Sequence, residues 1–282
     1  MFRMAMKLYR TKSGVVVESG NQFYILSGSW KSIINRPRLF QKLIQEINDS
    51  MASPMAIQFI NNELLPPIDE QEVWAAGVTY FRSKKARMDE SKESGASVFY
   101  DKVYDAERPE IFFKATPHRV VGHNQPVRIR KDSTWNVPEP ELTLFITSEG
   151  TIEGYTIGND MSSRSIEGEN PLYLPQAKSW DKSAALGPCL LVQEKPLDPS
   201  TGIQLAITRN GADVFNGSAT LSQMKRTFPE LAQWLTREAS FPSGVYLMTG
   251  TCLVPEDGFT LMSGDVIKIS IDGIGNLTNP VE

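Results

Sequence analysis

Apolar residues recur at helical spacing in only two stretches of this chain. In "RPRLFQKLIQEINDSM", Leu39, Leu43 and Ile47 stand four apart with Pro37 near the start, which predicts an amphipathic helix. Across residues 227–239, Leu231 and Leu235 share a face and predict a second. A charged helical pattern over residues 81–94 predicts a flap. Elsewhere short β-branched runs alternate with turn signals: "GVVVESGNQFYILSG", "EVWAAGVTY", "HRVVGHNQPVRIR", "GIQLAITRNGADVFNGS" and "DVIKISIDGIGNL". Gly-Asn in the first of these, Asn210-Gly211 and Glu149-Gly150 are hairpin turns by composition. The Pro- and acid-rich stretch "NNELLPPIDEQE", residues 61–72, is the best boundary. It divides a small N-terminal α/β domain, 1–66, from a larger catalytic domain, 67–282. The strands are too short and too many for a doubly wound sheet, so the fold class is α+β and mostly β.

One run sets a puzzle. "WNVPEPELTLFI" enters the apolar stretch Leu142–Ile146 through Glu139 and Glu141, which a strand turns to the same face. Two carboxylates side by side repel, and burying either alone is costly. Both face water, or a cation stands between them. If Glu149-Gly150 closes a hairpin, Asp160, at the end of "GYTIGND", emerges level with the two glutamates. Three converging carboxylates suit a hard dication, Mg²⁺ or Mn²⁺.

Composition narrows the classes. The 282 residues are 40% hydrophobic and 22% charged, which is ordinary for a globular protein. A net charge of −4 argues against a nucleic-acid partner. No apolar run reaches the ~20 residues of a bilayer span, and the start lacks a signal-peptide core, so no membrane partner and a cytoplasmic location are expected. The two cysteines, Cys189 and Cys252, exclude a disulfide framework or a zinc cluster. The two histidines, His118 and His123, have no metal-ligand spacing.

"VPEPELTLFI", "GYTIGNDMSSRSIEGENPLYLPQAKSWD", "LGPCL", "TGTCLVP" and "LMSGDVIKISIDGIGNLTNPV" resemble, in order and spacing, the signature segments of the fumarylacetoacetate hydrolase superfamily. "GVTY", "YDKVYDAERPEIFFKATPHRVVG" and "IEGENPLYLPQAK" are most similar to its 2-keto-3-deoxy-pentonate dehydratases, which act in pentose catabolism. The resemblance implies a mixed β-roll catalytic domain, a Mg²⁺ on Glu139, Glu141 and Asp160, and a homo-oligomer (dimer or tetramer). One departure stands out: "AAGVTYFRSKKARMDE" offers neither the extra aspartate nor the histidine that hydrolases of the superfamily often place beside Val78–Arg82.

A 2-keto acid offers such a metal its carboxylate and its C2 carbonyl. The metal acts as a Lewis acid, lowering the pKa of C3–H and stabilising an enolate. A hydroxyl on C4 then leaves as water; an acyl group there is instead cleaved hydrolytically, and the fold alone does not separate the two. The resemblance implies that Lys178, in "LPQAKSW", moves protons beside the substrate, where the bland alternative is a solvated lysine. Glu110, in "RPEIFFKAT", is either the acid that helps the C4 hydroxyl leave or a surface acid. Lys114 pairs with a carboxylate, at the substrate or in a structural salt bridge. Gly250 permits close backbone approach, and the Thr251 hydroxyl is expected on the substrate carboxylate. Arg82 and the polar loop Ser162–Pro171, through Arg164, Glu169 or Asn170, complete the substrate-binding set; capping explains Ser162 and Ser163 equally well. Three readings remain: a dehydratase, a C–C hydrolase on the same metal, and a sugar-acid-binding protein without catalysis.

Overall fold

The computed structural model describes residues 5–80, 102–256 and 258–282. The chain opens with a three-stranded meander, β1 (Ala5–Thr11), β2 (Gly14–Ser19) and β3 (Gln22–Leu26), then helices α1 (Trp30–Ile34), α2 (Leu39–Asn48) and α3 (Met55–Glu63). The remainder is mostly strand: β4 (Glu72–Gly77), β5 (Glu110–Ala115), β6 (Val120–Val121), β7 (Asn136–Val137), β8 (Pro140–Ile146) and β9 (Ile152–Asp160). After β10 (Ser162–Ser163) come two short helices, α4 (Arg164–Glu169) and α5 (Leu174–Lys178). Strands β11 (Ala184–Gln193), β12 (Gly202–Arg209) and β13 (Ala212–Thr220), helix α6 (Phe228–Thr236), and strands β14 (Val245–Met248), β15 (Val266–Ile271) and β16 (Gly275–Pro280) complete it. The expected α+β, mostly β architecture is observed.

Ten strands form one mixed sheet, running β3-β2-β1-β11-β9-β8-β14-β4-β5 with β6 on β11; β13-β12-β15-β16 form a second. Leu142, Leu144 and Ile157 pack between the two sheets against Ile203, Leu205, Ile267 and Ile269. The opposite face of the large sheet is covered by Trp30, Leu39, Leu43 and Ile47 of the N-terminal helices, which meet Leu186, Tyr246 and Met248. Strand β8 is therefore buried on both faces, which explains why apolar residues dominate it from Leu142 to Ile146 without strict alternation.

The helix foreseen from Leu39, Leu43 and Ile47 spans Leu39–Asn48, and all three residues are buried. Its first N–H groups are satisfied from afar: the Glu153 carboxylate of β9 accepts from Arg38 N and Leu39 N, both at 2.8 Å. The second foreseen helix runs Phe228–Thr236 and starts on a Thr227–Glu230 capping box. Asn210 and Gly211 both take positive φ between β12 and β13, the type I′ geometry that matches strand twist. Helix α3 corrects the connector reading: residues 61–63 belong to its last turn, and linker starts only after them. The flap expected over residues 81–94, and Arg82 within it, lies outside the described residues.

Candidate metal centre

The β8–β9 hairpin brings the acids together. Glu141 pairs with Gly158, and two residues further along Asp160 N donates to Glu139 O at 2.9 Å, so Asp160 stands across from Glu139. Glu139, Glu141 and Asp160 each offer a carboxylate oxygen, all within 4.8 Å of one another, and all three side chains are buried. Burial, then the charges of Asp160 and Glu139, push the Glu141 carboxyl well above its ordinary range. Three oxygen donors that repel one another in a water-poor site fit a hard dication.

Around the acids stands a ring of buried cations. Lys178, the last residue of α5, donates to Glu139 Oε2 at 2.6 Å and to Ser162 Oγ at 2.5 Å. Its Nζ also lies 3.2 Å from Asp160 Oδ2. Arg164 Nη2 donates to the other Glu139 oxygen at 2.5 Å. Lys114 Nζ is 2.5 Å from Asp160 Oδ1 and donates to the carbonyls of Met161 and Lys178. Lys114 reaches inward because it is the unpaired residue of a bulge in β5: Val73 faces Ala115, Trp74 faces Phe113, and Lys114 has no partner between them. Burial pulls its ammonium below the usual lysine range, against the attraction of Asp160.

A tight cleft over the triad is lined by Gly77, Val78, Phe112, Arg164, Lys178 and Thr251 besides the three acids. Gly250 forms its far wall and donates its N–H to Glu141 Oε2 at 2.6 Å. Glu110, on β5, lies against Gly77; a Cβ on Gly77 would stand 1.8 Å from Glu110 Oε2, so only glycine leaves that carboxylate its place. The Thr251 hydroxyl donates to Leu253 O at 3.0 Å. The segment expected as a polar loop, Ser162–Pro171, is mostly strand β10 and helix α4: Arg164 opens α4 and belongs to the site, Glu169 ends it exposed, and Asn170 caps the next turn by accepting from Leu172 N.

Sequence reasoning overlooked Glu167. It is buried, with Oε1 3.2 Å from Lys178 Nζ and Oε2 3.8 Å from Arg164 Nε. Its spacing of three from Arg164 in a polar segment is the one signal that marks it.

The fumarylacetoacetate (FAA) hydrolase C-terminal family model matches residues 73–282. The chain is 47% identical over 224 residues to a protein of Haloferax volcanii described as a probable 2-keto-3-deoxyxylonate dehydratase, covering 79% of this chain and 76% of the relative. It is 43% identical over 232 residues to the 2-dehydro-3-deoxy-D-arabinonate dehydratase of Saccharolobus solfataricus, covering 80% and 77%. Among solved structures, a 2-keto-3-deoxy-D-arabinonate dehydratase complexed with magnesium and 2,5-dioxopentanoate matches with a TM-score of 0.82 at 33% identity over 99% of both chains.

Proposed function

The chain belongs to the fumarylacetoacetate hydrolase family, and from that premise we propose that it dehydrates a 2-keto-3-deoxy-pentonate, arabinonate or xylonate, to 2,5-dioxopentanoate in pentose catabolism. The observation that carries this reading is the convergence of three buried carboxylates, Glu139, Glu141 and Asp160, in a chain so similar to two proteins described as such dehydratases. The magnesium and 2,5-dioxopentanoate bound by a solved relative support both cofactor and product.

Glu139, Glu141 and Asp160 would hold Mg²⁺, with Mn²⁺ as substitute, and the ion would supply the Lewis acidity that acidifies C3–H of a 2-keto acid. Charge bookkeeping supports an anionic substrate. Glu139, Glu141, Asp160 and Glu167 face Lys114, Arg164 and Lys178, all buried. A dication leaves this ionised set with one excess positive charge, which the carboxylate of a sugar acid cancels.

Lys178 and Glu110, beside Gly77, divide between them the removal of the C3 proton and the acid help to the departing C4 hydroxyl, Lys178 acting as the base only once its ammonium has given up a proton; tautomerisation involving C5 then yields the aldehyde. Lys114 and Arg164 serve the substrate through the acids they hold, while Gly250, Thr251 and Arg82 contact it. We further infer a homo-oligomer, dimer or tetramer, in the cytoplasm. Among the described residues no helix is long and apolar enough to cross a membrane. The division at 66/67 is supported by the family match starting at residue 73.

Product analysis tests the reading. With Mg²⁺ present, each 2-keto-3-deoxy-pentonate consumed yields one 2,5-dioxopentanoate and no pyruvate, and NMR in D₂O shows deuterium at C3 or C4. Pyruvate formed from an acylpyruvate at a higher kcat/KM than any sugar acid would establish the C–C hydrolase instead and leave the metal site standing.

A further inference from the structure

Both oxygens of Glu139 are already engaged: Oε1 by Arg164 and Oε2 by Lys178. Asp160 is shared between Lys114 and Lys178 in the same way. A dication on the triad competes for these same oxygens and repels the ammonium and guanidinium in a site with little water to screen them. Something outside the triad has to keep those cations in place.

Glu167 meets that need. Ser163 caps α4 by accepting from Ile166 N at 3.4 Å, and the i, i+3 spacing puts Glu167 on the face of Arg164. Its two oxygens address the two cations separately, Oε1 toward Lys178 and Oε2 toward Arg164. It is not one of the acids whose oxygens converge on the metal position.

We propose that Glu167 is a positioning residue: it anchors Lys178 and Arg164 when a dication takes up Glu139, Glu141 and Asp160. The inference deepens the dehydratase reading and rests on it only for the metal. Its carboxylate balances the ammonium that would otherwise oppose metal entry, and it keeps Lys178 Nζ beside the cleft.

Calorimetric titration with Mg²⁺ alone, without substrate, tests it. Glu167→Gln keeps the shape of the side chain and removes its charge, and is expected to weaken Mg²⁺ binding by about tenfold or more. Glu167→Asp keeps the charge and is expected to stay within about threefold of the native chain. Because Glu167 acts through Lys178, most of the loss should vanish when Glu167→Gln is made on a Lys178→Met background. A full loss persisting on that background would overturn the proposal, as would unchanged affinity in Glu167→Gln. If Glu167→Gln alone fails to fold by circular dichroism, the double variant, with neither charge buried alone, is expected to fold and bind Mg²⁺; failure of both overturns it. A native chain that binds no Mg²⁺ removes the metal reading and this proposal with it, whereas a binding native chain with an indifferent Glu167→Gln removes this proposal alone.

Discussion

Asp160 and Glu139 face each other across the β8–β9 hairpin, joined by a 2.9 Å backbone hydrogen bond that holds their side chains on one face of the sheet. The carboxylates are therefore fixed by strand register, and a slip of one residue between the two strands would put Asp160 on the opposite face from the two glutamates.

Neutral replacement should leave that register intact. Glu139→Gln, Glu141→Gln and Asp160→Asn are each expected to abolish turnover while far-UV circular dichroism stays native. EDTA should inactivate the native enzyme and added Mg²⁺ or Mn²⁺ restore it; full activity in excess chelator would end the metal assignment.

Lys178 stands 2.6 Å from Glu139 Oε2 and lines the cleft. Lys178→Ala should lower kcat by roughly a hundredfold or more, as expected for loss of a general acid/base. Steady-state kinetics that show only a raised KM would make Lys178 a uniform binding contact instead.

Gly250 adopts φ +99°, and a Cβ there would lie 2.0 Å from Thr79 Oγ1. Its N–H also holds Glu141 Oε2. Gly250→Ala should cost about 1–3 kcal/mol of stability through backbone strain and weaken metal binding together. Urea unfolding and Mg²⁺ titration measure the two; loss of neither would show that the loop adjusts freely.

The raised Glu141 carboxyl sets a pH dependence. Its neutral form is favoured in the folded, metal-free chain, so its contribution to stability is present at low pH and declines as pH rises through that raised value. A dication displaces the proton and relieves the repulsion. The gain in Tm on adding Mg²⁺ should therefore grow from mildly acidic toward alkaline pH, and calorimetry in buffers of different ionisation heat should detect protons released on binding. A Tm gain that shrinks as pH rises would contradict the assignment.

Much of this was legible before any coordinates. The i, i+2 glutamates at the mouth of an apolar run, the Glu149-Gly150 turn and the Leu39–Leu43–Ile47 spacing are local signals, and local geometry honours them. Helix α3 was hidden because Met55 and Ile57, which are exposed, stand among Ala56, Phe59 and Ile60 and blur the face those three share. Helix α4 is six residues long, too short for a period to be read, and with it Glu167 went unnoticed. The burial of Lys114, Lys178 and Arg164 could not be read either, since a charged residue points to solvent unless its partners are known. Those partners come from pairings far apart in sequence, such as Val73 with Tyr246 and Leu8 with Leu190.

Strand β14 lies between β8 and β4, antiparallel to one and parallel to the other, and it delivers Gly250 to Glu141 from 109 residues downstream. A nascent chain thus carries all three acids, Lys178 and Glu167 long before it carries the strand that closes the site beside Glu141. Such contacts between distant segments form late. The capacity to hold a metal tightly is in that sense a property of the finished molecule: a ribosome-bound or truncated chain ending before Val245 would present the acids in a loose, water-filled arrangement and let a captured cation go.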